Sequence, residues 1–345
     1  MSRPNPAASW IRRLALSGVM LAVLVVGAWF VSRAAALWAI DNWVEQQQRL
    51  FGRRWTCGTQ TTAGFPFRLD YVCSDIAVET ISRRSRQEAR AAQIMISAPL
   101  YNPLLAQARL QGPLVYRDLQ TSAQVTLEWS DLTFDIGWNH RGIRSLLSRT
   151  TGLSIQPGGL QNASAARIET ARLDIHAAGE DAVEIALDVA GGDIPALARL
   201  TGSTERMGLT AAARMDKAEF LFLDDLLSSI EDWRMAGGKL TVSKLAALQG
   251  AMSAELSGAL ELDEQRRARG NLSLSASGIE DVLKRYGVNP AAASIGSALT
   301  GFFARREETP APQRQAGTIT LPLWLKDGRV FVGPVRLPLV LFPLY

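Results

Sequence analysis

The chain has 345 residues, enough for one large domain or two smaller ones, and its charges nearly balance, with 37 basic side chains against 33 acidic ones. Three of the basic residues, Arg3, Arg12 and Arg13, precede residue 14, and no acidic residue accompanies them. The rest of the chain is therefore almost neutral, which excludes the strongly basic surface typical of proteins that bind nucleic acids.

An uncharged and mostly apolar segment extends from Leu14 to Val31. Its eighteen residues rise about 27 Å as a helix, close to the thickness of the hydrocarbon core of a bilayer. We expect a tail over residues 1–13, a transmembrane anchor over 14–33 and a juxtamembrane helix over 34–51. A cleaved signal peptide is one alternative, but its apolar core is usually shorter. A buried helix of a soluble protein is the other.

Basic residues flanking the apolar segment predict its orientation. The arginines that precede the segment indicate that the N-terminus stays in the cytoplasm and that the body lies on the other side of the membrane. Three tryptophans suit the membrane interface, where an aromatic ring is half hydrated. They are Trp29, Trp38 and Trp43, of which the last two could equally belong to a protein core.

The chain has two cysteines, Cys57 and Cys73. In an exported body, two cysteines so close in sequence are usually joined as a disulfide, which we predict here. Two buried thiols are the alternative. A zinc site is disfavoured because two cysteines supply half of a tetrahedral ligand set, and the histidines, His140 and His176, are distant in sequence. We therefore expect neither a metal nor a cofactor.

Residues 52–345 show apolar side chains at every second position in many short segments, a pattern typical of antiparallel strands with one buried face. The predicted fold class is mainly β (α+β), with a curved, mostly antiparallel sheet, a few short helices and a possible boundary near residue 191. Curvature is expected from β-bulges, because the alternation changes phase between Trp129 and Leu132 and again between Ile168 and Leu173.

Four short amphipathic helices and one tight hairpin are also predicted. The first helix follows Asp193 as its cap, with Pro195 in its first turn. The second has an apolar face from Leu223 to Trp233, and the others cover about 279–286 and 295–303, followed by an exposed loop over 305–315. Asp327-Gly328 is a typical hairpin turn between two strands, 319–326 and 329–332.

The segment CGTQTTAGFPFRLDYVCSD, residues 57–75, and the closing segment LPLWLKDGRVFVGPVRLPL, residues 321–339, resemble the bacterial family catalogued as domain of unknown function 2125. The resemblance implies an envelope protein with a membrane span, here in the bacterial inner membrane with a periplasmic body, and it supplies no catalytic residues. The layout is also similar, by analogy alone, to that of AsmA-type envelope proteins, whose curved sheets form apolar grooves for lipid.

The first of these segments contains a motif of five residues with a physical role of its own, Gly64, Phe65, Pro66, Phe67 and Arg68. The glycine permits a turn, the proline fixes φ, and the two aromatic rings are expected to pack in the core. The arginine could pair with Asp70 or Asp75. The motif is interpreted as a rigid corner held by the disulfide, with a binding role for the arginine as the alternative.

Catalytic motifs of the common hydrolases, kinases and dehydrogenases are missing from the sequence, and we predict no enzymatic activity. Asp174 and His176 share a face of one strand and would be the residues of an unrecognised hydrolase. Polar residues on the solvated face of a strand explain this pair more simply. Arginine clusters, of which the first contains Arg83, Arg84, Arg86 and Arg90, are expected in solvated loops, with contact to anionic lipid headgroups as the alternative.

The leading hypothesis is a protein with a single membrane span that binds lipid or another amphiphile on an apolar β surface, because many one-sided strands have few helices to cover them. The alternative is an envelope scaffold that docks another protein. The residues predicted to line the groove are Ile185, Leu187, Leu260, Leu272, Leu274, Leu321 and Leu323.

Overall fold

The computed structural model describes residues 6–81, 86–139, 142–158, 164–218, 226–278, 319–332 and 335–344. Within these residues the chain forms three helices and sixteen strands. All strand pairs whose register is described there are antiparallel. The expected fold class, mainly β with a long apolar helix at the N-terminus and a few short helices, is confirmed.

Helix α1 extends without interruption from Pro6 to Phe51. Among the described helices, it is the one whose length and composition would let it cross a membrane. Most apolar side chains between Leu14 and Val31 are exposed, and Trp29 is the buried exception at 8% exposure. An apolar helix surface of this size, left uncovered by its own protein, fits a lipid environment.

The chain divides into two compact units, residues 1–122 and residues 123–345. The first contains α1 and four strands that pair in sequence order. The strands are β1 (Arg53–Ala63), β2 (Arg68–Ile81), β3 (Arg86–Pro99) and β4 (Leu105–Asp118). Their buried residues Cys73, Ile76 and Ala91 form a core together with partly buried neighbours that include Trp55 and Leu110.

The second half of α1 packs against the first strand of this sheet. The rings of Trp43 and Trp55 lie 5.1 Å apart, and the Nε–H group of Arg33 donates a hydrogen bond of 2.7 Å to Thr62 Oγ1. Trp43 is thus a packing residue, whereas Trp38 is 70% exposed. The helix thus contacts the sheet both at the end of the apolar segment, through Arg33, and in the juxtamembrane part, through Trp43.

Cys57 on β1 and Cys73 on β2 form a disulfide with a Cα–Cα distance of 5.8 Å. The predicted crosslink is confirmed, and the alternative of two buried thiols is wrong. The bond joins neighbouring strands, and Cys73 belongs to the core of the unit.

The second unit contains twelve described strands and two short helices. Strand β7 pairs with both β5 and β6, and from β7 onward each strand pairs with the next in sequence. The elements are β5 (Gln124–Glu128), β6 (Asp131–Asn139), β7 (Gly142–Gly158), β8 (Ala166–Ala177), β9 (Ala182–Gly192), α2 (Pro195–Thr201), β10 (Met207–Asp216), α3 (Leu226–Met235), β11 (Leu240–Gln249), β12 (Met252–Leu262), β13 (Ala268–Ser277), β14 (Ile319–Lys326), β15 (Arg329–Val332) and β16 (Val335–Val340).

The division between the units lies near residue 122 rather than at the possible boundary near residue 191. Gly191 belongs to the end of β9, which pairs with β8 on one side and β10 on the other. The hydrogen-bonded sheet therefore continues past this glycine, and its positive φ of 67° marks the end of a strand within the unit.

The structure has no β-bulge at either of the two predicted positions. At the first phase change the chain leaves one strand and begins another, so that β5 and β6 are separate. Along β8 the register with β7 stays constant from Ala166 to His176, which places Ile168 on the opposite face from Leu173. A register shift does occur at Val242 and Leu245 of β11, and it keeps both side chains on one face.

The structure confirms some of the predicted turns and helices and corrects the start of one helix. Helix α2 begins after Ile194 and not after Asp193, because the backbone of Asp193 forms a β-bridge with Arg167. Helix α3 confirms the second predicted helix from Leu226 onward, and the Asp327-Gly328 hairpin is confirmed between β14 and β15. The predicted helices near 279–286 and 295–303 and the loop over 305–315 lie outside the described residues.

Replacing both Cys57 and Cys73 with serine should lower the free energy of unfolding by about 3 kcal/mol, because the disulfide closes a loop of about 16 residues in the unfolded chain. Thermal and denaturant unfolding of the full chain in detergent would measure this loss. Reductant should destabilise the wild-type protein by a similar amount and leave the double variant unchanged. Equal stability of the two oxidised proteins would contradict the prediction.

Candidate functional site

All seven residues predicted to line a groove lie on one face of the sheet in the second unit. Residues directly opposite each other on paired strands point to the same face, so the register defines rows across the sheet. The first row crosses seven strands and includes Leu187, Leu274 and Leu321. From β8 to β14 its members are Leu173, Leu187, Ala211, Leu245, Leu256, Leu274 and Leu321.

Two further rows lie next to the first, both toward the start of β9, and they contain the other predicted residues. The second row, from β8 to β15, consists of Ile175, Ile185, Ala213, Val242, Gly258, Leu272, Leu323 and Val332. The third, from β9 to β15, consists of Val183, Met215, Leu240, Leu260, Gly270, Leu325 and Val330. None of these side chains is charged, and we call the three rows together the apolar face.

Most of the apolar face is only half buried. Leu187, Leu274 and Leu321 retain accessible surface, whereas Leu272 is 9% exposed. Leu272 lies over Gly258, where a Cβ atom would approach the Leu272 backbone to 2.8 Å. The φ of Gly258 is 143°, which disfavours any other residue there, so the glycine lets Leu272 pack closely across the strand pair.

The opposite face of the same strands is polar and carries the pair that sequence reasoning considered for catalysis. His176 Nδ1 lies 3.4 Å from Asp174 Oδ1, and its Nε2 lies 3.3 Å from Glu184 Oε2. Asp174 also pairs with Arg172 at 3.4 Å, and Glu184 pairs with Arg214 at 3.1 Å. These side chains are about one third to one half exposed, and they form a network of charged and polar contacts typical of a solvated sheet face.

A cavity of about 720 Å³ on the polar face was not predicted. Its lining combines the aromatic rings of Trp324 and Phe331 with Asn271 and the ion pair between Arg269 and Glu261. The alternation of side chains along β14 could have predicted part of this lining. Trp324 lies between Leu323 and Leu325 and must therefore point away from the apolar face.

The motif at residues 64–68 forms the turn between β1 and β2. Gly64 has a φ of 92°, and a Cβ atom there would come within 2.6 Å of the Arg68 carbonyl oxygen, so this tight corner requires glycine. The Nε–H group of Arg68 donates a hydrogen bond of 3.0 Å to Asp70 Oδ2, and the Nε atom lies 2.8 Å from Asp70 Oδ1 in the same ion pair. Of the two predicted partners of Arg68, Asp70 is the one used, and it is 6% exposed.

The aromatic rings of this motif were expected to pack in the core, and that expectation is wrong. Phe65 is 54% exposed and Phe67 is 69% exposed. The turn projects from the end of the sheet beside α1, so that only one side of Phe65 finds a neighbour, the ring of Trp29 at 5.4 Å. A turn that extends past the sheet leaves its side chains no second layer to pack against.

Among the described residues, three carboxyl or phenol groups have shifted pKa values, and none of these three lies on the apolar face. Burial, with a contribution from Asp41, raises the pKa of Tyr71 in the first unit. The backbone N–H groups of Gln120 and Thr121 lower the pKa of Asp118. Burial opposes ionisation of Asp263, but hydrogen bonds from Arg267 outweigh it and lower the pKa. The lowered pKa values of the two aspartates thus follow from hydrogen bonds in local turns, and the raised pKa of Tyr71 follows from packing.

The described residues contain no cluster of three His, Cys, Asp or Glu side chains that could hold a metal ion. His140 of the sequence lies outside these residues. The seven predicted groove residues share one uncharged face of the sheet, which can make apolar contacts.

The family model described as an uncharacterized protein conserved in bacteria (DUF2125) matches residues 29–339. The chain belongs to this family. No curated protein and no solved structure matches the chain, so the similarity to AsmA-type proteins stays a prediction.

Replacing Leu272 with alanine should destabilise the second unit by about 2–3 kcal/mol, because the side chain is buried over Gly258 and its loss leaves a cavity. Ser273→Ala is the matched control on the opposite, exposed face and should change stability by less than about 0.5 kcal/mol. Denaturant unfolding of the full chain would compare the two. Similar losses for both variants would show that the assigned faces are wrong.

Proposed function

We propose that this member of the DUF2125 family is a non-enzymatic protein of the bacterial inner membrane that holds the acyl chain of a lipid, or of a similar amphiphile, on the apolar face of its second unit. The N-terminus lies in the cytoplasm and the body lies in the periplasm. The single observation that carries the proposal is the run of three uncharged rows across the strands from β8 to β15.

The dimensions of the apolar face suit an acyl chain. Eight neighbouring strands at about 4.8 Å spacing give the second row a length of about 34 Å. The hydrocarbon core of a whole bilayer is about 30 Å thick, so one leaflet provides about half of that length for a chain. The row is therefore long enough to accommodate an acyl chain along its whole length.

The chemistry of the face supports an apolar ligand over a polar one. A half-buried apolar surface of this extent gains free energy when an apolar partner displaces its water. The face offers leucine, isoleucine, valine and alanine side chains and no charged group, so it would give little recognition to a soluble metabolite. A lipid fits because its headgroup can stay in water while its chain covers the rows.

Three other features support the location. The candidate membrane helix is α1, whose apolar side chains are mostly exposed. The Cys57–Cys73 disulfide is typical of proteins in oxidising compartments such as the bacterial periplasm. The arginines before the apolar segment favour a cytoplasmic N-terminus, because basic flanks stay on that side.

A photocrosslinking amino acid such as benzoylphenylalanine, placed at Leu274 of the full chain in living bacteria, should capture a lipid. The same group at Ser273, the neighbouring residue on the opposite face, should capture none. Mass spectrometry of the purified protein would identify the adducts. A protein adduct at Leu274 would support the envelope scaffold instead, and lipid-free protein at Leu274 would overturn lipid binding.

Topology reporters fused after Tyr345 test the location separately. Alkaline phosphatase, which requires disulfides, should be active at this position, and green fluorescent protein exported in the unfolded state should be dark. The matched control places both reporters before residue 6, where we expect the opposite result. An active phosphatase at the N-terminus and an inactive one at the C-terminus would invert the proposed orientation.

A further inference from the structure

In the first unit, β1 returns along α1 toward the apolar segment of that helix. Strand β1 begins two residues after α1 ends at Phe51. From Arg53 to Ala63 an extended chain covers about 34 Å. From Trp29 to Phe51 the helix covers about 33 Å. The end of β1 therefore reaches the level of Trp29.

Specific contacts hold the two segments at this level. The indole N–H group of Trp29 donates a hydrogen bond of 3.0 Å to the backbone carbonyl of Arg68. The Trp29 ring also meets the Phe65 ring edge to face, with centroids 5.4 Å apart. At the other end of the strand, the N–H group of Ile81 donates to the carbonyl of Gly52 at 3.2 Å. The β1–β2 turn is thus fixed beside Trp29.

The position of Trp29 in the candidate membrane span indicates the depth of the β1–β2 turn beside it. The uncharged segment ends at Val31, two residues later, so Trp29 lies about 3 Å inside that end. Tryptophan is enriched at this depth, where the hydrocarbon meets the headgroups. If α1 spans a bilayer, the turn beside Trp29 lies at the surface of the leaflet on the side of the body.

A second turn lies beside the first. The N–H group of Leu100 donates a hydrogen bond of 2.9 Å to the carbonyl of Phe67, which joins the β3–β4 turn to the β1–β2 turn. We call residues 64–67 and 100–104 the paired turns. Tyr101 is 85% exposed, and Leu104 is 50% exposed. Residues 64–67 and 100–104 contain no charged side chain, and the uncharged sequence continues to Ala108. Arg68, which follows the first turn, is charged and pairs with Asp70.

The backbone of the paired turns is prepared for a medium with little water. Arg68 donates its N–H group to Gly64, Asn102 to Pro99, and Leu105 to Asn102. The prolines Pro66 and Pro103 have no N–H group to satisfy. Unpaired backbone groups are costly in lipid, so these internal hydrogen bonds remove a penalty that an ordinary exposed turn would meet.

The opposite end of the same strands is basic and not apolar. It lies beside Gly52, at the C-terminus of α1, and both β1 and β3 begin there, with Arg53 and Arg86. These two arginines are one strand length from the paired turns, so they do not lie at the level of Trp29. The strands of the first unit consequently have one apolar end and one basic end.

We propose that the paired turns insert into the interfacial region of the leaflet on the body side, so that the first unit rests on the bilayer through a second contact besides α1. The occupant of this exposed apolar surface is therefore the lipid bilayer itself. The inference rests on the proposed membrane anchorage by α1, which fixes the depth of Trp29. Phe67 and Tyr101 supply the inserted rings, a role that suits aromatic residues at interfaces.

The test uses the full chain in vesicles of phosphatidylcholine and phosphatidylglycerol, with an NBD fluorophore on one introduced cysteine at a time. The native cysteines are joined in the disulfide and do not react. The labelled variants are Phe67→Cys, Tyr101→Cys, Tyr116→Cys and Met20→Cys. Tyr116 is the matched control, an exposed aromatic residue on β4 that pairs with Ala89 away from the paired turns.

Nitroxide lipids with the spin label near the headgroup should quench most of the fluorescence at Phe67 and Tyr101 and little at Tyr116. The emission of the first two should also shift to shorter wavelength on addition of vesicles. Nitroxides deep in the acyl chains should quench the label at Met20, which reports the span itself. The circular dichroism spectrum of each variant verifies the fold.

The outcomes separate the two proposals. Quenching at Met20, together with solvent-like signals at both Phe67 and Tyr101, would overturn insertion of the turns and leave the anchorage by α1 intact. No quenching at Met20 would overturn the anchorage, and insertion with it. Two labelled positions in different turns ensure that one perturbed variant does not decide the result.

Discussion

The antiparallel register is the constraint on which the rest of this structure depends. Side chains along a strand alternate between faces, so a slip of one residue would transfer every leucine of the apolar face to the polar face. The register from β8 to β15 avoids this, and the shift at Val242 and Leu245 of β11 restores the alternation where the sequence changes phase. A single irregularity thus maintains three rows across the unit.

The same constraint separates two kinds of chemistry on one sheet. On one face, Leu272 and its neighbours give an uncharged surface, and on the other, Glu184 contacts His176 and forms an ion pair with Arg214. Exposed ion pairs contribute little to stability, whereas buried side chains of the apolar face such as Leu272 contribute more. A surface that stabilises the fold when covered is also one that an apolar ligand can cover.

Sequence reasoning identified the apolar side chains that share a face within each strand, because alternation is a local property that can be read residue by residue. The rows across the strands follow from the register. Sequence reasoning also identified the Asp327-Gly328 turn, since both residues tolerate positive φ, observed at 53° and 71°. The disulfide followed from spacing and compartment. Each of these features depends on a few neighbouring residues, and the structure agrees with all of them.

What the sequence did not predict depends on contacts between distant segments. The exposure of Phe65 and Phe67 follows from the return of β1 along α1, which brings Arg68 to Trp29 across 39 positions. The cap of α2 was misplaced because Asp193 bridges to Arg167, a contact that its neighbours in sequence do not reveal. Aromatic residues in a short motif look like core residues until the position of the turn in the sheet is known.

The hairpin of β1 and β2 gives the disulfide a role beyond stability. Cys57 lies six residues before the end of β1, and Cys73 lies five residues after the start of β2, so the bond crosslinks the two strands that carry the turn. A turn that projects beyond a sheet is otherwise free to bend, because few contacts restrain it. With the strands joined and Trp29 bonded to the carbonyl of Arg68, the Gly64–Arg68 segment is restrained from both sides. Pre-organisation of this kind lowers the entropy lost when exposed rings enter a lipid surface.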